Sequence, residues 1–403
     1  MARRRTTPPP DLPEQIVATP ADFRACVESL RMFPVVGLDT EFVGEESYRP
    51  ELCLVQVATA DRLILIDPYA CGDIAPFWEL LLDPDRTTVV HAGREEVRMC
   101  RAAIGRPPAV VFDVQIACAL VGYTYPIGYA GLVQEALGGR ASKAETLTDW
   151  RRRPLTPSQI RYAYDDVRYL LSLYQLLSDR LTKWKRTAWA AEEFAAAVTR
   201  AVTDDPAVER WRKLKGLGGA SRRELAIARE LYVWRDEFAS RLNRPPRVLM
   251  RDDVLLEIAR RGLTRPDDVI GLRGVPRTEA EAIIAAVRRG ADLPLAECPG
   301  ASERDNDPPH VGTLASLLSV VLAEFCGRTR LASNLVATNY DLKSLVRARQ
   351  PGGELAADSS LGSGWRATFV RPHLDAVLDG TQAIRVSNPG STSPITVHPI
   401  ARG

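Results

Sequence analysis

Three acids, Asp39, Glu41 and Glu45, interrupt the otherwise apolar, β-rich stretch VVGLDTEFVGEESYRPELCLVQVA. On a strand, residues i and i+2 face the same way, so Asp39 and Glu41 project together. Ionised carboxylates in such a run are costly unless something positive compensates them. The most economical compensation is a divalent cation such as Mg²⁺ or Mn²⁺, which takes oxygen ligands. An Asp-x-Glu pair alone is a weak signal, because 51 acids in the chain produce such pairs by chance. Further along, YAYDDV places Tyr162 and Asp166 four apart and hence on one face of a predicted helix. Between these two stretches, HAGREEV carries Glu95 and Glu96 where a strand hands over to a helix.

The elements that must position these residues follow from apolar periodicity. Strand signals at 35–42, 52–60 and 63–66, with short polar breaks, predict an antiparallel meander. A fourth strand at 87–91 leads into a helical pattern from Arg94, and VFDVQIACAL reads as a further helix. The run from Pro157 repeats apolar residues at helical spacing (Ile160, Val167, Leu171, Tyr174, Leu177, Leu181), and Thr156, Pro157 and Gln159 supply its start signal. These elements make an α/β domain ending near 182. A charged, Ala-rich helical connector (183–205) precedes an all-helical region, where Leu231, Trp234, Phe238 and Leu242 form a stripe ahead of a Pro-Pro break. A Pro-, Asp- and Glu-rich linker (291–311) and a third helical region follow. Residues 1–18 and 384–403 read as flexible tails.

Charge is unevenly spread. Residues 20–180 hold 17 Lys/Arg against 22 Asp/Glu, and residues 208–290 hold 19 against 12. An acidic half followed by a basic half suggests chemistry in one and polyanion holding in the other. Seven scattered cysteines without a C-x-x-C pair argue against a disulfide framework or zinc site and for a reducing cytoplasm. The N-terminus, MARRRTTPPPDLP, lacks the apolar core of a secretory signal. No apolar run is expected to reach the ~20 residues of a membrane span.

Taken together, the strand acids, the strand-to-helix acid and the late Tyr-x-x-x-Asp resemble the tyrosine-containing branch of the DEDD 3′–5′ exonucleases, and within it the ribonuclease D family. DTEFVGEESYRPELCLVQVA is similar to that family's first exonuclease motif, VVHAGREEVRM to its second and TDWRRRPLTPSQIRYAYDDVRYL to its third. The resemblance implies an α/β ribonuclease-H-like exonuclease domain (19–182) followed by all-α helical domains. The first of these, a helicase-and-RNase-D C-terminal (HRDC) domain, is expected at 206–290, and a second, divergent HRDC-like copy at 312–383. It implies Asp39, Glu41, Glu96 and Asp166 as ligands of two Mg²⁺ or Mn²⁺ ions, with Tyr162 orienting the attacking water. It further implies Lys143 and Phe42 as substrate contacts, at a phosphate and at the terminal base; a solvated lysine and a core phenylalanine are the competing readings. Arg153 is equally suited to helix-start packing and to RNA. His91 lies in the second motif, away from Asp166, and reads as structural.

One position departs from the pattern. Glu96 stands where the family's second motif has aspartate, five residues after His91 and directly after Glu95. The extra methylene reaches ~1.5 Å further and brings more rotamer freedom. The expected activity is a metal-dependent 3′–5′ exoribonuclease that releases 5′-mononucleotides from tRNA precursors and other RNAs with single-stranded 3′ ends, in the cytoplasm, with no membrane and no obligate protein partner. The rival readings are an RNA-binding protein with a degenerate nuclease site and a 3′–5′ DNA exonuclease.

Overall fold

The apolar runs around the acid pair form the middle of a mixed sheet. This computed structural model of the 403-residue chain describes residues 11–141, 148–203, 210–300, 307–391 and 394–400. The strands are β1 (Glu14–Val17), β2 (Val35–Val43), β3 (Glu51–Ala58), β4 (Leu63–Ile66), β5 (Thr87–Val90) and β6 (Val110–Asp113), in the spatial order β1-β4-β3-β2-β5-β6. β3 and β4 pair antiparallel, whereas β1 with β4, β2 with β5 and β5 with β6 are parallel. β4 is buried at every residue and β3 over most of its length, as strands covered on both faces must be.

Several expectations are corrected. Glu14–Val17, inside the predicted N-terminal tail, is an edge strand on β4; residues 1–10 of that tail lie outside the described residues. VFD, read as the start of a helix, is strand β6, and the helix begins only at Val114, capped by the Asp113 side chain. The long run after Thr156 is two helices, Pro157–Arg168 and Leu170–Lys183, joined at Tyr169. β7 (Gln382–Val386), which runs into the predicted C-terminal tail of 384–403, pairs antiparallel with β8 (Ile395–Pro399) inside it.

The expectation about apolar runs also fails. Pro309–Thr329 is long and apolar enough to cross a membrane by length and composition. It buries Val311, Ala315, Leu318, Val321, Leu322, Phe325 and Cys326 within the fold, at the spacing of a core-facing helix stripe.

The chain divides into two units. The first comprises Met1–Glu41, Cys53–Val202 and Asp307–Gly403; the second comprises Phe42–Leu52 and Thr203–Asn306. In the first, Arg186 fastens the C-terminal region to the sheet domain by donating to the carbonyls of Leu120, Thr329 and Arg330. Glu193, 4% exposed, accepts from Trp365 Nε1 (2.8 Å) and pairs with Arg366.

The second unit packs helices Arg222–Leu242, Asp252–Arg261 and Ala280–Asp292 around Trp211, Leu231, Trp234, Ile258 and Ile283. Three of the four stripe residues face this core, but Leu242 is 49% exposed, because the helix ends there and Asn243 turns into the left-handed region. Ser221 and Glu224 form a capping box at the start of the same helix. Within this unit Tyr48 donates to Asp236 (2.8 Å), which also pairs with Arg210 (2.7 Å).

Gly290 sets the approach of two of these helices, since a Cβ there would lie 2.5 Å from the Ile227 Cα. Gly290→Ala is expected to destabilise the second unit by about 1–3 kcal/mol, the usual range for overpacking. Denaturant unfolding followed by tryptophan fluorescence measures it, and an unchanged midpoint would contradict the packing described.

Candidate active site

Gly37 is where a helix comes closest to the acid-bearing strand. A Cβ on it would sit 3.1 Å from the Cβ atoms of both Ala58 and Leu170. Glycine thus lets Leu170 press directly on β2, and Asp39 and Glu41 follow on the same face of that strand. The preceding helix, Pro157–Arg168, carries Tyr162 and Asp166 and starts from a reciprocal Thr156–Gln159 capping box.

The Asp39 carboxyl is held well above the usual carboxylate range, first by burial and then by the charges of Glu96, Asp166 and Glu41. Burial, with Asp166 and Glu96 adding to it, pushes Glu41 up to about 8. Asp166 rises to about 7, mainly through burial, against a hydrogen bond from Tyr162 that favours its ionised form. Glu96 also rises to about 7 by burial, while a bond from Thr40 opposes the shift. The structure therefore brings Asp39, Glu41, Glu96, Tyr162 and Asp166 together.

Glu96 and Glu95 are separated by what they touch. Glu96 is 6% exposed and accepts the Thr40 hydroxyl at 2.7 Å, whereas Glu95 pairs with Arg98 at 3.3 Å. The turn leading to Glu96 is clamped by a residue outside the three sequence motifs. Asp113, at the end of β6, accepts the backbone N–H groups of Ala92 (3.0 Å), Gly93 (3.2 Å) and Gln115 (2.8 Å). Ala92 is left-handed there (φ 56°), and a Cβ on Gly93 would meet Val90 Cγ2 at 2.3 Å. The available signal for Asp113 is an acid closing a short apolar run, the mark of a helix N-cap. His91 Nε2–H donates to the Ile127 carbonyl at 2.9 Å, and burial lowers its pKa. It is a neutral structural group, as expected.

Phe42, beside Glu41 on β2, is 36% exposed, which speaks against a core role. Arg153 is engaged in packing: it grips Asp67 with two bonds and donates to the carbonyls of Cys53 and Trp150 at 2.8 Å each. Lys143 lies outside the described residues.

Four neighbouring carboxylates, three of them partly open to solvent, are a donor set suited to hard divalent cations. Among the described residues no three His, Cys, Asp or Glu side chains converge at metal-ligand spacing, and Glu96 is turned to Thr40. The chemistry of the set fits a hard divalent cation, and one of the two Glu96 oxygens is engaged by Thr40.

The fold is that of a 3′–5′ exonuclease domain, and the family model of that description matches residues 14–182; an HRDC domain model matches 224–287. The chain is 36% identical over 383 residues to ribonuclease D of Gluconacetobacter diazotrophicus, spanning 92% of this chain and 94% of that protein. It is 36% identical over 372 residues to ribonuclease D of Granulibacter bethesdensis, spanning 91% and 92%. The crystal structure of Escherichia coli RNase D, described as an exoribonuclease involved in structured RNA processing, superposes with a TM-score of 0.78 at 27% identity, covering 92% of this chain and 99% of that one. The catalytic core of RRP6 from Trypanosoma brucei follows at 0.57 and 25%, covering 71% and 82%. The chain belongs to the ribonuclease D family, hydrolases of the 3′–5′ exoribonuclease class. The exonuclease fold of this family generally works with divalent metals.

The raised carboxyl pKa values have a signed consequence. Glu41, Glu96 and Asp166 hold protons in the folded state that the unfolded chain releases near pH 4. The native state is therefore richer in protons from about pH 4 to about pH 8, and stability falls as pH rises through that window. In EDTA, the melting temperature is expected to fall by several degrees between about pH 5 and pH 8, and Asp39→Asn to flatten the fall. A flat calorimetric profile for the parent would contradict the cluster.

Proposed function

We propose that this protein removes nucleotides one at a time from RNA 3′ ends as 5′-monophosphates, with Asp39, Glu41, Glu96 and Asp166 holding two Mg²⁺ or Mn²⁺ ions. The observation that carries the reading is the gathering of these four carboxyls in one largely buried cluster, where burial raises all four pKa values and the charges of Glu96 and Asp166 raise those of Asp39 and Glu41 further. When bound, the cations supply charge neutralisation at the scissile phosphate and activation of the attacking water. Tyr162 is already hydrogen-bonded to Asp166, and its hydroxyl is suited to orienting the water rather than removing its proton. Phe42 offers an exposed ring next to Glu41 for the terminal base, and Lys143 a cation for a phosphate.

The basic second unit is the candidate RNA grip. A cleft of about 580 Å³ in it is lined by Lys215, Arg247, Arg251 and Arg260, with Asp252 and Asp253 among them. Precursor tRNAs and other structured RNAs with short single-stranded 3′ ends are the expected substrates, in line with the likeness to E. coli RNase D. We read 312–383 as a second, divergent HRDC-like region. Seven free, buried cysteines support a reducing, cytoplasmic setting.

Matched RNA and DNA oligonucleotides, incubated with Mn²⁺ and with EDTA, test the proposal. RNA should yield 5′-mononucleotides with Mn²⁺ only; equal cleavage of DNA would make the enzyme indifferent to the 2′-hydroxyl. No cleavage of either would mark a degenerate site.

Asp39→Asn and Asp166→Asn are expected to lower kcat by several orders of magnitude with RNA affinity nearly intact. Glu96→Gln should also be severely impaired, and Glu95→Gln should stay within a few-fold of the parent. The reverse ranking of the two glutamates would move the fourth ligand to Glu95.

Changing Lys215, Arg247, Arg251 and Arg260 together to Gln is expected to make the log–log salt dependence of RNA binding shallower, by about 0.7 for each phosphate that the variant no longer neutralises. An unchanged slope would reduce the cleft to a solvated face.

A further inference from the structure

β3 carries one polar side chain deep in the sheet. Gln56 is 0% exposed, and neither Oε1 nor Nε2 has a hydrogen-bond partner. A buried amide without partners is costly, and native proteins rarely keep one without a use.

Sheet register places it beside the acid pair. β2 and β3 are neighbours, and the connection from Val43 to Glu51 is too short for the crossover that parallel strands need. They therefore run antiparallel. The 3.1 Å between a Cβ on Gly37 and the Cβ of Ala58 makes those residues direct cross-strand neighbours on one face. Two residues further along β2, and two back along β3, Asp39 lies opposite Gln56. Both belong to the face on which Gly37 meets Leu170.

Asp39 accepts the backbone N–H of Thr40 at 3.0 Å, which leaves carboxylate lone pairs for further donors. We propose that Gln56 is a positioning residue of the nuclease site, its Nε2–H groups hydrogen-bonding the Asp39 carboxylate and fixing its orientation in the cation-loaded enzyme. The proposal rests on the reading of Asp39 as a metal ligand. An amide suits the place because it donates without bringing charge. A carboxylate there would add to the repulsion among the acids, and an ammonium would compete with the cation. Partners that orient a ligating side chain typically govern affinity or activity by about 10- to 100-fold.

Gln56→Met preserves bulk and removes the donors. In calorimetric titration with Mn²⁺ and no RNA, affinity is expected to fall about tenfold. The kcat on RNA should fall by a similar factor with KM within about twofold, while the melting temperature in EDTA stays equal to the parent's or rises. Gln56→Leu, read the same way, covers a failure of the methionine variant to fold. Mn²⁺ affinity and kcat both unchanged would overturn the proposal and leave Gln56 a packing residue. Asp39→Asn separates the two levels. If the parent binds no Mn²⁺, or Asp39→Asn binds it equally well, the reading of the site itself fails and the proposal falls with it.

Discussion

Four carboxylates that repel one another in a partly dry site are the constraint on which the remaining architecture depends. Nothing in their own chemistry brings Asp39, Glu41, Glu96 and Asp166 together; burial raises the proton affinity of all four, and Glu96 and Asp166 raise that of Asp39 and Glu41 further. The scaffold has to supply the opposing force, and it does so with apolar packing. β3 and β4 bury nearly every side chain, and Leu170 sits on Gly37 without an intervening Cβ. Burial of Leu170, Leu173 and Leu177 holds the Leu170–Lys183 helix, with Leu170 on β2, and the Pro157–Arg168 helix joined to it at Tyr169 carries Tyr162 and Asp166. The acid cluster is thus a functional cost borne by hydrophobic burial elsewhere in the same unit.

Much of this was legible in the sequence, and the illegible part has physical reasons. Asp39 and Glu41 could be placed because strand periodicity is unambiguous over VVGLDTEF, and the Thr156 capping box announced the helix that carries Tyr162 and Asp166. β1 and β6 could not. Each is four residues long and draws its stability from a parallel neighbour distant in sequence, which leaves no local pattern to read. The break at Tyr169 was hidden because helical spacing continues across it. Glu96 could not be separated from Glu95 by spacing alone; the separation comes from Thr40 on one side and Arg98 on the other.

The order of the units along the chain adds a further constraint. The chain leaves the first unit at Val202 and returns to it at Asp307, so the HRDC-containing unit is an insertion rather than an appended tail. The returning segment is held by interactions that are costly to break. Glu193 is buried against Trp365 and Arg366, and Arg186 uses its guanidinium on carbonyls from both sides of the insertion. Removing one partner of a buried ion pair strands the other charge, a loss of about 3–5 kcal/mol. A truncation after residue 205 therefore strips partners from the nuclease domain as well as the basic unit. Substitution within the Lys215–Arg260 cleft is the cleaner separation of the proposed RNA grip from catalysis.

The glutamate at position 96 follows from the same balance of forces. A longer acid at the first turn of the Arg94–Ile104 helix has one more rotatable bond than aspartate, and freezing it costs entropy. In this structure the cost is met locally, because the Thr40 hydroxyl holds one Glu96 oxygen at 2.7 Å. Thr40 lies between Asp39 and Glu41 with its side chain on the opposite face of β2, so the added reach brings Glu96 to the strand that carries the other acids. Asp113 fixes the preceding turn through three backbone N–H groups, setting the origin from which that reach is measured. The departure from the family pattern is thereby absorbed by two neighbouring hydrogen-bonding side chains. With the strand and the turn both held, the Glu96 carboxylate changes position only by rotation about the glutamate's own bonds.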